Sequence, residues 1–117
     1  MCFVGISKEY TLTNVEAMAT KIAHARLFDD SLGKLNLNIQ EVGGSILSIS
    51  QFTLYANTKK GHRPSFDLAA NAMDAKLLYQ LFNDRLAIFC KVETGIFQVH
   101  MNIDSSNDGP VSIMYEN

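Results

Sequence analysis

Cysteine is nearly absent from this chain: Cys2 and Cys90 lie far apart, with no CxxC or CxxH spacing. That argues against a disulfide scaffold and against a zinc site, and it fits a cytoplasmic chain with no metal. Long apolar runs are lacking too, so no segment is expected to span a bilayer. The opening MCFVGISKEY has neither a basic stretch nor a long apolar one, which excludes a signal peptide. There is no excess of positive charge, since 10 Lys+Arg stand against 12 Asp+Glu for a net charge of -2. A global attraction for nucleic acid is thereby excluded, although a local basic patch is not. Proline and glycine are sparse, and no repeat, low-complexity tract or linker divides the chain. One domain over residues 1–117 is expected. What is present, 47% hydrophobic and 19% charged residues, is too apolar for disorder.

Patterning then orders the elements. Cys2 to Ile6 reads as a short strand. Thr13 with Glu16 forms a capping box, and Val15, Met18, Ala19, Ile22 and Ala25 follow at helical spacing, which predicts a helix over about 14–27. Asp29, Asp30 and Gly33 end it in a loop. Leu35, Leu37 and Ile39 alternate as in a half-buried strand. Gly43-Gly44 offers a hairpin turn into the most β-like segment, Ser45 to Tyr55. A polar loop over 56–67 precedes a second helix at about 71–89, with Leu78, Leu81, Phe82 and Leu86 on its apolar face. Val92 to Val99, Met101 to Ile103 and Val111 to Tyr115 read as strands. The order β-α-β-β-α-β-β predicts an α+β domain, two helices packed on a mixed curved or barrel-like sheet.

Three segments carry polar chemistry. In Ser50-Gln51-Phe52-Thr53-Leu54, alternation sets Ser50, Phe52 and Leu54 on one face and Gln51 and Thr53 on the other. An interior strand with these polar groups needs partners for them; an edge strand leaves them wet. Lys59, Lys60, His62 and Arg63 form a basic cluster on an acidic chain, suited to phosphate or simply solvated. Asn107-Asp108-Gly109-Pro110 is dense in turn formers. His24, His62 and His100 share no ligand spacing, and no catalytic triad order or phosphate-cradling glycine loop is present. From these residues alone the chain is an α+β domain with one polar strand and one basic loop.

Taken together the segments say more. Ser50-Gln51-Phe52-Thr53-Leu54-Tyr55-Ala56, then Lys60-Gly61-His62-Arg63-Pro64-Ser65-Phe66, then Asn107-Asp108-Gly109-Pro110-Val111 resembles the D-aminoacyl-tRNA deacylase family, also called D-tyrosyl-tRNA deacylase. Val42-Gly43-Gly44 and Val92-Glu93-Thr94-Gly95-Ile96-Phe97 extend the match over essentially the whole chain. The resemblance implies a cytoplasmic, homodimeric hydrolase without cofactor. It would cleave the ester joining a D-amino acid, or glycine, to the 3′ end of tRNA, with no DNA or membrane partner. Ser50, Gln51, Phe52 and Thr53 would form the catalytic site, with Thr53 positioning rather than attacking, because the motif holds no base to activate it. Gly109 and Pro110, joined by a cis bond, would reach into the partner's site and exclude L-configured substrates. Lys59, Lys60 and Arg63 would hold the tRNA backbone.

The chain departs from the family pattern in three places. It begins at what resembles the strand after the family's usual N-terminal hairpin, so an unpaired apolar edge and aggregation are expected. Gln98-Val99 stands where Gly-Ala is common, and Ser112 replaces Thr. A rival reading is a noncatalytic tRNA-end-binding or oligomerisation module on the same fold.

Overall fold

In the computed structural model, which describes residues 1–117, β1 (Cys2–Val4) leads into α1 (Leu12–Ala23) and a hairpin of β2 (Phe28–Asp29) and β3 (Leu35–Leu37). Next come β4 (Ser45–Ser50), a 3-10 turn (Phe52–Tyr55), α2 (Ala72–Leu86) and β5 (Lys91–Thr94). β4 lies between β1 and β5 and is parallel to both, while β2 and β3 pair separately and antiparallel. The α+β class stands, but the sheet is open rather than barrel-like. Two β-α-β crossings put the helices where they can cover it. No helix is long and apolar enough to cross a membrane.

The central place of β4 follows from its sequence. Ile46, Ser48 and Ile49 are buried, and a strand covered on both faces belongs inside a parallel sheet. This displaces the expected hairpin at Gly43-Gly44. That turn closes locally, with the Gly44 N–H donating to the Ile39 carbonyl at 2.9 Å, and β3 turns back on β2 instead. The tight link there is Asp30, whose carboxylate accepts from the Leu32 and Lys34 amides at 2.8 and 3.1 Å.

Both helices start on a side-chain cap. Thr11, not Thr13, caps α1: the Asn14 carboxamide oxygen accepts from the Thr11 amide at 3.0 Å and its hydroxyl at 2.8 Å. The helix stops at Ala23, four residues before the expected end, because the His24 ring contacts the Thr20 carbonyl at 2.8 Å and Phe28 is drawn into β2. Asn71 caps α2 by accepting the Asp74 amide at 3.0 Å. Val15, Ala19 and Ala23 recur every four residues on α1, and Tyr79, Phe82 and Leu86 face them from α2. With Val4, Ile6 and Ile46 they make the core. The small Ala19 and Ala23, both fully buried, let the helices approach closely.

The C-terminal stretch differs most from expectation. Residues 100–117 form no strand, and Val111 and Ile113 are 54% and 51% exposed. The alternation is genuine, but a strand needs a ladder partner and the protomer offers none beside it. The tail touches α1 instead: Asn117 donates its side-chain amide to the Asn14 carbonyl at 2.8 Å, and Lys21 lies 5.6 Å from the Tyr115 ring centre. Every peptide bond is trans, Gly109–Pro110 included, so the implied cis bond is absent. In this exposed arm nothing offsets the intrinsic trans preference of about 0.5–1 kcal/mol.

Candidate active site

The expected long strand breaks at Ser50, and the break opens a cavity. β5 pairs with β4 only as far as Thr94 opposite Ser48, while β1 continues to Val4 opposite Ser50. Beyond that last rung β5 turns away through Gly95–Val99. The fork leaves a cavity of about 40 Å³, lined by Ser50, Tyr79, Met101 and the Gly95–Val99 loop. Gln51 donates its amide to the Val4 carbonyl at 2.8 Å, on the β1 side. Successive strand amides point to opposite edges, so Ser50 aims its N–H at the edge β5 has left. A main-chain donor facing a partly enclosed space suits a developing oxyanion.

Gln51, Phe52 and Thr53 follow as a turn rather than as a strand, so their expected two-face alternation does not occur. The Gln51 carboxamide donates to the Thr53 hydroxyl. Thr53 thus receives a hydrogen bond on the oxygen that an attack would need, with no base at hand. Phe52 stacks edge-on against Phe66 with ring centres 5.0 Å apart. Tyr55 anchors the other end of the turn, its hydroxyl donating to that of Tyr10 at 2.7 Å. Partial burial is the first cause of a Tyr55 pKa raised well above the ordinary phenol, with the Tyr10 contact second.

The basic loop is tied to this turn through Phe66. Its base is closed by the reciprocal pair Asn57 and Ser65, at 2.8 and 3.1 Å, and by the Lys59 amide donating to the Asn57 carboxamide at 3.1 Å. Lys59, Lys60 and Arg63 are exposed and without carboxylate partners, the one ion pair of the chain being Lys91–Glu93. Gly109 and Pro110 are exposed and do not line this cavity. The structure therefore brings Ser50 to the cavity, places Gln51, Phe52 and Thr53 in the turn that follows, none of them lining it, and leaves the Gly-Pro turn outside.

Pattern reading missed Tyr79. It is 6% exposed, and its ring lies 6.1 Å from Phe97, centre to centre. The signal was available: a tyrosine three residues before a core phenylalanine must find a buried partner for its hydroxyl. Gln98, singled out only as a larger group than usual, is the one non-glycine residue with positive φ, at 61°.

Comparison with known proteins places this geometry. A family model described as D-Tyr-tRNA(Tyr) deacylase matches residues 1–116. The chain is 53% identical over 114 residues to the D-aminoacyl-tRNA deacylase of Staphylococcus carnosus (strain TM300), covering 97% of this chain and 76% of that protein. It is 52% identical, with the same coverage, to that of Staphylococcus aureus (strain bovine RF122 / ET3-1). Among solved structures, the "c-Myc DNA Unwinding Element Binding Protein" superposes with a TM-score of 0.86 at 35% identity, over 94% of this chain and 76% of that one. A structure described as "a probable eukaryotic D-amino acid tRNA deacylase" matches with a TM-score of 0.65 at 14% identity, over 74% and 51% of the two chains, and shows the shared fold alone. With the family model spanning all but the last residue and relatives above half identity, the chain belongs to the D-Tyr-tRNA(Tyr) deacylase family, a family of hydrolases.

Proposed function

We propose that the chain hydrolyses the ester between a D-amino acid, or glycine, and the 3′-terminal ribose of tRNA. The observation that carries this reading is the Ser50 amide at the strand fork, aimed at the vacated edge of β4 and followed in sequence by the hydrogen-bonded pair Gln51 and Thr53. Attack on the ester carbonyl places negative charge on its oxygen, and a fixed amide donor stabilises that charge more than it does the ground state. Thr53, which accepts from Gln51, keeps its own proton to donate and orients the ester or the ribose. Water is the attacking species, and the ribose 2′-hydroxyl assists it. Lys59, Lys60 and Arg63 hold the tRNA backbone by charge, next to the turn that carries the site.

Chirality belongs to Gly109 and Pro110. Their carbonyls, supplied by a second copy of the chain, meet the substrate ammonium and leave no room for an L-side chain. The support is that neither residue lines the cavity of its own protomer, while Ile103, Val111, Ile113 and Met114 on the same arm are exposed. A homodimer covers that arm and completes the site. One structural relative carries a DNA-binding name, but this chain has net charge -2 and a single basic loop, so neither DNA nor a membrane enters the reading. It acts in the cytoplasm, where aminoacyl-tRNA is found.

The test is hydrolysis of D-tyrosyl-, D-alanyl-, glycyl- and L-tyrosyl-tRNA by the full chain. The two D-esters and the glycyl ester should be cleaved and the L-ester spared. Comparable cleavage of L- and D-tyrosyl-tRNA would overturn exclusion by backbone, and release of no amino acid would favour a noncatalytic module.

A further inference from the structure

Tyr79 belongs to none of the polar motifs, yet it lines the cavity. It sits on α2 inside the core, 6% exposed, and lines the cavity together with Ser50. Its hydroxyl donates to the Ser48 carbonyl at 2.8 Å, across 31 residues of sequence. Ser48 is no arbitrary acceptor: it is the last residue of β4 paired on both sides, to Cys2 of β1 and Thr94 of β5. It is also wholly buried, so its carbonyl cannot turn to water. A carbonyl has two lone pairs, and here the phenol fixes the peptide at the point where β5 leaves. On its other side the same ring backs Phe97, in the loop that forms the far wall.

We infer that Tyr79 is a positioning residue for ester hydrolysis, clamping the β4–β5 fork so that the Ser50 amide and the Gly95–Val99 wall keep a fixed separation. This rests on the proposed function for its catalytic consequence, but its structural claim stands by itself. Without the hydroxyl, the ring still fills its place in the core while the Ser48 peptide gains freedom to rotate. Ser50 is two residues further on, with no β5 neighbour to correct its direction. An amide so loosened still lets substrate bind, through contacts made elsewhere, but stabilises the oxyanion less well.

Tyr79→Phe tests this. Steady-state deacylation of D-tyrosyl-tRNA should lose roughly 10- to 100-fold in kcat, the usual effect of a small misplacement, with KM unchanged. Phe82→Leu, on the same helix and 2% exposed but outside the cavity, serves as the control with lowered stability and intact kcat. Amide hydrogen exchange of the full chain, without substrate, should speed up selectively at Ser48 and Gly95, whose amides face the β4–β5 seam, in Tyr79→Phe and not in Phe82→Leu. Equal kcat in wild type and Tyr79→Phe, or unchanged exchange at the fork, would overturn the inference. If the wild-type chain releases no amino acid the proposed function fails, and fork exchange still decides the role of Tyr79.

Discussion

Gly95 opens the cavity wall, and replacing it by alanine puts a methyl group where Met101 already stands. A Cβ at Gly95 would overlap the Met101 sulfur and lie 3.1 Å from its terminal carbon and 3.5 Å from Ile49 Cδ1. Non-bonded heavy atoms settle at about 3.5–4.0 Å, so the sulfur must withdraw by more than about 1 Å. Backbone conformation contributes no strain, because Gly95 does not have positive φ. The perturbation is therefore steric overpacking, but the clashing atoms are the flexible end of Met101, so the cost falls at or below the low end of about 1–3 kcal/mol. At about 4 °C per kcal/mol for a chain between the surveyed sizes, Tm should fall by about 4 °C or less. Met101 also lines the cavity, so its retreat reshapes the space below Ser50 and should lower deacylation as well. The decisive comparison is a double-mutant cycle with Met101→Ala, read by thermal melting and by D-tyrosyl-tRNA hydrolysis. Trimming Met101 removes the clash, so Gly95→Ala should cost far less in the Met101→Ala background than in wild type. Additive losses would refute the steric account, since independent sites add within about 0.3–0.5 kcal/mol.

Three other outcomes follow from the same geometry. Thr53→Ala removes one neutral hydrogen-bonding group, worth about 0.5–1.5 kcal/mol and so at most about tenfold in rate, whereas a tRNA lacking the terminal 2′-hydroxyl should lose more. The opposite ranking in single-turnover assays would return Thr53 to the role of nucleophile. Replacing Lys59, Lys60 and Arg63 together by alanine should weaken binding of all tRNAs alike and flatten the salt slope by about 0.7 for each lost single-strand phosphate contact; an effect confined to one tRNA species would exclude backbone reading. The Lys34 and Leu32 amides, in that order, hold the Asp30 carboxyl below its ordinary value of 3.8, with Asn36 adding a third donor. A pKa lowered by folding gives support that is complete above the unfolded value and fades as pH falls through the folded one. An NMR titration should therefore place the Asp30 midpoint under 3.8, with the β2–β3 hairpin loosening only on the acid side; a midpoint at or above that value would refute it.

The helices were the most legible part of the sequence because each carries its own reasons for forming. The helical spacing of Val15 and Ala19, and of Phe82 and Leu86, is a local signal that needs no knowledge of the rest of the fold, whereas Thr13 and Glu16 make no cap in the structure. Strand pairing is not local. Leu35 and Leu37 alternate as a strand should, yet nothing in that alternation says whether β2 or β4 is the neighbour. Asp30 decides it, through three hydrogen bonds within its own turn, and a carboxylate in a loop has many other uses. Parallel pairing of β4 was hidden for a related reason: its partners are separated from it by whole helices, so no turn residue marks the connection.

The expected site residues rest on the family resemblance, and their geometry was illegible in the sequence. Continuous β propensity from Ser45 to Tyr55 conceals the break at Ser50, since propensity describes how a residue suits a pleated surface and not where the neighbouring strand stops. That stopping point is set from β5, where Gly95 meets Met101, and from α2, where Tyr79 meets Ser48. Val111, Ile113 and Tyr115 present the converse case. Their alternation is as regular as that of β3, but in one protomer Val111 and Ile113 face solvent and the segment has no strand beside it. Alternation records which residues suit a pleated surface, not whether a neighbouring strand stands there to pair with them.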